Sequence, residues 1–287
     1  NRLIPTFILP LALGYQFNKP IFISGVNLGP FHDEQINNYY GLFKRVNTLI
    51  LRDRTPSIET LEKLGGTNGK LILGADDILP KWYCNDQVDS ELVQNDHKYA
   101  VIQLHHWVEK YTNNYIEFYK TLAKFINELL NNGVIEKIYF MPFTYFKGAD
   151  YECGRRLKTF LDEREEYVVL KPTNEHIFMR ELISGSKFLI ASRYHPIVFG
   201  LGEQIPTLGI SVNDLYHQKI SGAYDVVGVK KDSNIVDIND LSIQRLINWY
   251  NSLQNNLDGK CIDVKGIKTI DLYAKKRKKS IEEFLTK

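Results

Sequence analysis

Cysteine, methionine and tryptophan are scarce in this 287-residue chain, with 3, 2 and 3 copies. The cysteines (Cys84, Cys153 and Cys261) are odd in number, widely spaced and include no CxxC pair. That pattern excludes a disulfide framework and a zinc knuckle, and it predicts a reducing, cytoplasmic setting. Neither sign of charge is in excess, since 36 Lys+Arg face 34 Asp+Glu. Bulk electrostatic capture of nucleic acid is thereby excluded as the main activity. No apolar run reaches the roughly 20 residues needed to span a bilayer. The apolar stretch at 3–13 lacks the basic flank and cleavage site of a signal peptide. The chain opens on Asn1, as a fragment or a processed product would.

What is present is ordinary globular material, 44% hydrophobic and 24% charged. A chain of this length can remove about three quarters of its unfolded surface from water, so its core needs no metal or disulfide. Short apolar runs alternate with helical periodicity, predicting strands at 21–24, 48–51, 71–74, 100–104, 138–141, 167–170, 188–191, 207–210 and 225–227. The clearest helix spans 114–131, with Ile116, Tyr119, Leu122, Phe125, Ile126, Leu129 and Leu130 on one face and Asn132-Gly133 at its end. Near-continuous apolar strands separated by helices define an α/β fold with a mainly parallel sheet. The polar, acidic stretch 82–98 breaks the pattern and reads as an interdomain linker. It divides the chain into domains at 1–88 and 89–265, followed by a basic amphipathic helix at 266–287 built around KKRKK at 275–279. With three strands, the first domain is thin for an independent α/β unit.

Chemistry-bearing residues gather just past the predicted strands. Phe188–Ala191 runs into Ser192, Arg193, Tyr194, His195 and Pro196, with Pro196 placed to open a helix. Ligands of open α/β sheets bind at the carboxyl ends of strands, and a helix N-terminus there favours an anion. Arg193 brings a planar fork suited to carboxylate or phosphate, and His195 brings a group that exchanges protons near neutral pH. The next strand is followed by His217 and Lys219, a further point charge for the same edge. In the first domain, Gly25, Asn27, Gly29 and His32 follow one strand. Arg52 and Asp53 follow the second, with Ser57 as the expected helix N-cap. Asp76 and Asp77 follow the third. Adjacent carboxylates with no third ligand predict no metal there. His105 and His106 should face apart on an extended chain, which argues against joint metal binding and leaves one to line a cleft. Asp150 is placed to cap the helix that follows it.

Taken in order, ISGVNLGPF at 23–31, LILRDRTPSIETLEKLG at 49–65, GADDILP at 74–80, ASRYHPIVFGLGEQIPTLGIS at 191–211 and Lys219 resemble the polysaccharide pyruvyltransferase family. The likeness covers most of residues 1–228. Arg193-Tyr-His195 followed by Gly-x-Gln-x-Pro is its most specific part, with Tyr194 where the family usually has Leu. The resemblance implies two Rossmann-like domains facing a cleft (GT-B-like), with an N-terminal domain that is apparently incomplete. It implies phosphoenolpyruvate as co-substrate, no bound cofactor, and a sugar of a surface polysaccharide as acceptor, free or lipid-linked. On that basis Arg193, Ser192 and Lys219 hold the donor and His195 is the general acid. Asn27, His32, Arg52, Asp76 and His105 face the acceptor. Independently of the resemblance, the basic C-terminal helix reads first as a docking helix with a solvated charged face, and second as a patch for the inner face of a membrane or a lipid-linked acceptor. Two alternatives carry different expectations. A nucleotide-sugar glycosyltransferase of the same architecture would use a carboxylate such as Glu203 for the donor's ribose, and a non-catalytic carbohydrate-binding assembly protein would leave Arg193, His195 and Lys219 scattered.

Overall fold

The computed structural model describes residues 4–80, 98–144, 149–254 and 264–286. Cys84, Cys261 and nearly all of the expected linker at 82–98 lie outside them. The chain forms two compact units, Asn1–Pro80 with Lys268–Lys287, and Lys81–Ile267.

In the first unit, α1 (Ile4–Gln16), β1 (Phe22–Val26), α2 (Asp33–Asn38), β2 (Thr48–Leu51), α3 (Thr55–Lys63) and β3 (Lys70–Leu73) alternate along the chain. The strands form a parallel sheet in the order β1-β2-β3. Central β2 reads Thr-Leu-Ile-Leu and is buried at every position, as a strand covered on both faces must be. Leu49 and Leu51 from β2 meet Leu11, Leu28, Phe43, Val46, Leu61 and Leu64 in one core cluster.

The second unit runs β4 (Tyr99–Gln103), α4 (Val108–Tyr111), α5 (Tyr115–Asn131), β5 (Lys137–Phe140), α6 (Ala149–Thr159) and β6 (Tyr167–Val169). It continues with α7 (His176–Ser184), β7 (Leu189–Ala191), α8 (Tyr194–Gly202), β8 (Thr207–Ser211), α9 (Asp214–Val227), α10 (Lys231–Asn234), β9 (Ile235–Asp237) and α11 (Ile243–Gln254). All six strands are parallel in the order β6-β5-β4-β7-β8-β9. Chain direction across the sheet reverses between β4 and β7. In a doubly wound sheet that reversal opens a crevice at the carboxyl ends of those two strands. The amphipathic α5 closes one face with Phe118, Leu122, Phe125, Ile126 and Leu129, and Asn114 caps it by accepting from Glu117 N at 3.1 Å.

Three local expectations are corrected. Residues 225–227 end α9 instead of forming a strand. Their apolar run extends a helical face with Ile220, Ala223 and Tyr224, and Gly228 at φ +73° closes the helix. Helix α8 begins at Tyr194, so Tyr194 and His195 belong to its first turn, where Pro196 lacks an N–H the helix could not have used. Ser57 lies inside the first turn of α3, and the carboxylate of Asp53 accepts its N–H at 3.0 Å.

The last helix, α12 (Val264–Leu285), packs within the first unit from Lys268 onward. Ile270, Tyr273 and Ser280 form its buried side, and the Phe284 ring lies 5.2 Å from Phe22. Of the KKRKK run, Arg277 turns inward to Asp77 at 2.9 Å, while Lys275, Lys276, Lys278 and Lys279 are exposed. Among the described residues no helix is long and apolar enough to cross a membrane.

Candidate active site

Neighbours β4 and β7 deliver Gln103–Trp107 and Ser192–His195 to the reversal point side by side. Three bonds stitch the two strand ends together. Ser192 N donates to Gln103 O at 3.0 Å, Arg193 N to Gln103 Oε1 at 2.9 Å, and His105 N to Ser192 Oγ at 2.6 Å. Ser192 is therefore a buried tie between strands.

Asp150, in the first turn of α6 and fully buried, is the hub of this region. Its carboxylate takes Arg193 Nε at 2.6 Å and Nη2 at 2.7 Å. It also accepts from the backbone N–H groups of His106, Phe143 and Thr144 at 3.1–3.2 Å, and from Gln103 Nε2 at 3.3 Å. Burial alone would raise the Asp150 pKa, but hydrogen bonding and charge from Arg193 outweigh it and hold the carboxyl below its ordinary value. The side edge of the Arg193 fork is thus spent on Asp150, and Nη1 has no partner among the described residues.

The two adjacent histidines do not face apart. The chain leaves the extended conformation after Leu104, and the rings of His105 and His106 lie 4.4 Å apart, tilted by 31°. His105 is buried, and burial, Arg193 and His106 lower its pKa to about 3. Its Nδ1 accepts from Trp107 N at 2.9 Å, so the neutral ring carries its proton on Nε2. His106 Nδ1 lies 3.3 Å from Arg193 Nη2 and 3.5 Å from Asp150 Oδ1. Trp107 and Tyr216 wall the same corner, 4.6 and 5.4 Å from the His105 ring. Lys219 Nζ stands 5.8 Å from the Tyr216 ring centre. His195 is exposed on the first turn of α8, with its ring 6.2 Å from Phe143. The structure therefore gathers Ser192, Arg193 and His105, while Lys219 stands beside Tyr216 and His195 beside Phe143.

His105, His106 and Asp150 come close enough in composition and spacing to suggest a metal. Arg193 already holds both Asp150 oxygens, and the Trp107 N–H occupies His105 Nδ1. The donor set does not fit a resident cation. The sequence marks Asp150 only as a helix cap and singles out His105 over His106 for the acceptor; contact with Arg193 adds Asp150 and His106 to this cluster.

The first unit keeps its own strand-end cluster. Asn27 Nδ2 donates to Asp53 Oδ2 at 2.8 Å, Ser57 Oγ to the same oxygen at 2.8 Å, and Leu28 N to Ser57 Oγ at 2.7 Å. Asn27 thus ties the loop after β1 to the start of α3. Arg52 Nη1 pairs with Asp76 at 2.7 Å, and Asp77 pairs with Arg277 and accepts from Ser24 Oγ at 2.7 Å. Each adjacent carboxylate has its own arginine. His32 is exposed at the N-cap of α2, and its backbone N–H donates to Gln35 Oε1 at 3.0 Å. Asn27, His32, Arg52 and Asp76 therefore belong to the first unit, and His105 belongs with Arg193 in the second. Glu203 is engaged by the fully buried Arg180.

An α/β chain with parallel sheets and strand-end polar clusters in both units defines the GT-B-like class. Solved structures agree at the level of fold. UDP-GlcNAc 2-epimerase of Neisseria meningitidis bound to UDP-GlcNAc matches with a TM-score of 0.60 at 10% identity, over 98% of this chain and 73% of that one. Anabaena Alr3699/HepE in complex with UDP-glucose matches at 0.56 and 12% identity, over 97% and 75%. Residues 2–214 match the sequence profile of the polysaccharide pyruvyl transferase family, and the chain belongs to it. It is 24% identical over 269 residues to the amylovoran biosynthesis protein AmsJ of Erwinia amylovora, covering 84% of this chain and 59% of that protein. The chain spans about three fifths of that relative's length.

Proposed function

We propose that this protein transfers the pyruvyl group of phosphoenolpyruvate to two hydroxyls of one sugar in a surface polysaccharide or its precursor. The supporting observation is the Arg193 guanidinium, fixed by buried Asp150 at the strand-order reversal, with His195 two residues on at a helix N-terminus. Phosphoenolpyruvate needs an oxyanion grip and a proton donor. In the balanced reaction, one proton goes to the donor methylene carbon to make a methyl group. Two hydroxyl oxygens bond to C2, the C2–O bond to phosphate breaks, and inorganic phosphate leaves with the remaining proton. His195 acts as general acid; Arg193 and the N-terminus of α8 hold donor oxygens, and Lys219 supports the phosphate. Asn27, His32, Arg52 and Asp76 are the first unit's candidates for the acceptor, and His105 is the second unit's. The exposed lysines of α12 suit the inner, anionic face of a membrane carrying a lipid-linked acceptor.

Phosphate release from phosphoenolpyruvate across a panel of acceptor glycosides tests this reading. His195→Ala should lower turnover by about 10²–10⁴ while retaining donor binding. Arg193→Ala should lower turnover and weaken donor binding as well. Normal acceptor-dependent phosphate release in both variants would overturn the assignment. Sedimentation with vesicles containing anionic lipid tests the membrane contact, which should weaken as salt rises.

A further inference from the structure

His106 carries no role in the reaction as written above, although its ring touches the central ion pair. Nδ1 lies 3.3 Å from Arg193 Nη2, and the side chain is 38% exposed while that of Asp150 is wholly buried. An arginine has only donors, so Nη2 donates to Nδ1 and the ring's own proton sits on Nε2. The two ring nitrogens point in roughly opposite directions, which aims Nε2–H away from the ion pair on a side chain that is partly open to solvent. Arg193 has Nε and Nη2 committed to Asp150, leaving Nη1 for a ligand. Two N–H donors, His106 Nε2 and Arg193 Nη1, therefore flank one buried, neutralised carboxylate. Asp150 fixes both, taking Arg193 through two bonds and the His106 backbone through a third at 3.2 Å.

We propose that His106 is a second oxyanion-binding residue, gripping one anionic end of the donor together with Arg193 Nη1, and that Asp150 positions the pair. The inference rests on phosphoenolpyruvate being the donor, whose carboxylate and phosphate present the same chemistry. Hydrogen-bond donors held in place by the fold suit such a ligand because they bind oxygen without reorganising.

Calorimetric titration of the full chain separates the cases. His106→Ala and His106→Leu should bind phosphoenolpyruvate about tenfold more weakly, the cost of one charge-assisted hydrogen bond. His106→Gln, whose amide nitrogen can reach the place of Nε2, should recover most of that loss. Parallel titrations with pyruvate and with inorganic phosphate show which end His106 holds, since only the matching ligand weakens in His106→Ala. The half-exposed position tolerates these changes, and thermal melts check that each variant is folded. Unchanged affinity for all three ligands in His106→Ala overturns the inference, as does a His106→Gln protein no better than His106→Ala. Wild-type protein that binds phosphate or pyruvate through His106 but not phosphoenolpyruvate overturns the donor reading and leaves the oxyanion grip standing. Binding of none of the three overturns both.

Discussion

His105 is a neutral imidazole enclosed in a corner that resists its protonation. Its pKa falls to about 3 because burial penalises the charged ring, with Arg193 and His106 adding to the effect. In the unfolded chain it would titrate near about 6.5. Between those values the unfolded state binds more protons, so stability falls as the pH is lowered, by at most about 1.4 kcal/mol per pH unit from this group. Asp150 contributes in a lower window. Its carboxyl is held below its ordinary value, so its stabilisation is complete above about pH 4 and is lost as the pH falls through the folded-state value. His105→Asn keeps an acceptor near Nδ1 and removes the titration. Urea midpoints at pH 7 and pH 5 should converge in that variant relative to wild type. Equal pH dependence in the two proteins would show that His105 is not the group responsible. The sequence places Arg193 and His195 just past a strand, and the structure finds them two and four residues after β7. Asp150 and His106 reach Arg193 from 43 and 87 residues away, and no local pattern announces such a contact.

At the scale of elements, the irregular end of β1 is held by what the third strand end brings to it. Gly25 adopts φ +63°, and a Cβ there would stand 2.6 Å from Asp77 Cγ. The Asp77 carboxylate cannot retreat freely, because Ser24 Oγ and Arg277 hold it. Gly66 has a similar φ of +74° with nothing within 4 Å of the added atom. Gly66→Ala should therefore cost only the left-handed backbone penalty, about 1–2 kcal/mol. Gly25→Ala should add the crowding and cost about 1–3 kcal/mol more, in the range of other overpacked sites. Chemical denaturation of both variants gives the difference, and equal losses would remove crowding from the account. Periodicity exposes eight of the nine strands among the described residues and helix α5, because their apolar runs are long enough to show a period. It failed at 225–227, where two valines ending a helix imitate a buried strand. It also missed β9, three residues that take their conformation from pairing with β8.

For the whole molecule, the chain's order and its spatial order differ at the end. The sequence shows α12 as a basic amphipathic helix beyond the second domain, but the residues it meets lie 200 or more positions earlier. Phe284 covers Phe22, Tyr273 accepts a hydrogen bond from Arg54 at 2.7 Å, and Arg277 joins Ser24 and Asp77. The Lys70–Glu283 pair is half-exposed and adds little, since such pairs contribute about 0–1 kcal/mol. The loss on removing α12 should come from uncovering the apolar side of the three-stranded sheet, whose core is the smaller of the two. A chain ending at Ile267 is therefore expected to lose amide protection at 22–26 and 48–51 while keeping it at 99–103, 189–191 and 207–211. Hydrogen exchange read by mass spectrometry resolves these segments separately. Arg277→Ala, leaving the helix in place, should weaken protection only near 24 and 77. Uniform loss across both units would mean that α12 stabilises the chain as a single cooperative body. Unchanged protection at 22–26 would mean that the helix adds charge to the first unit without covering it.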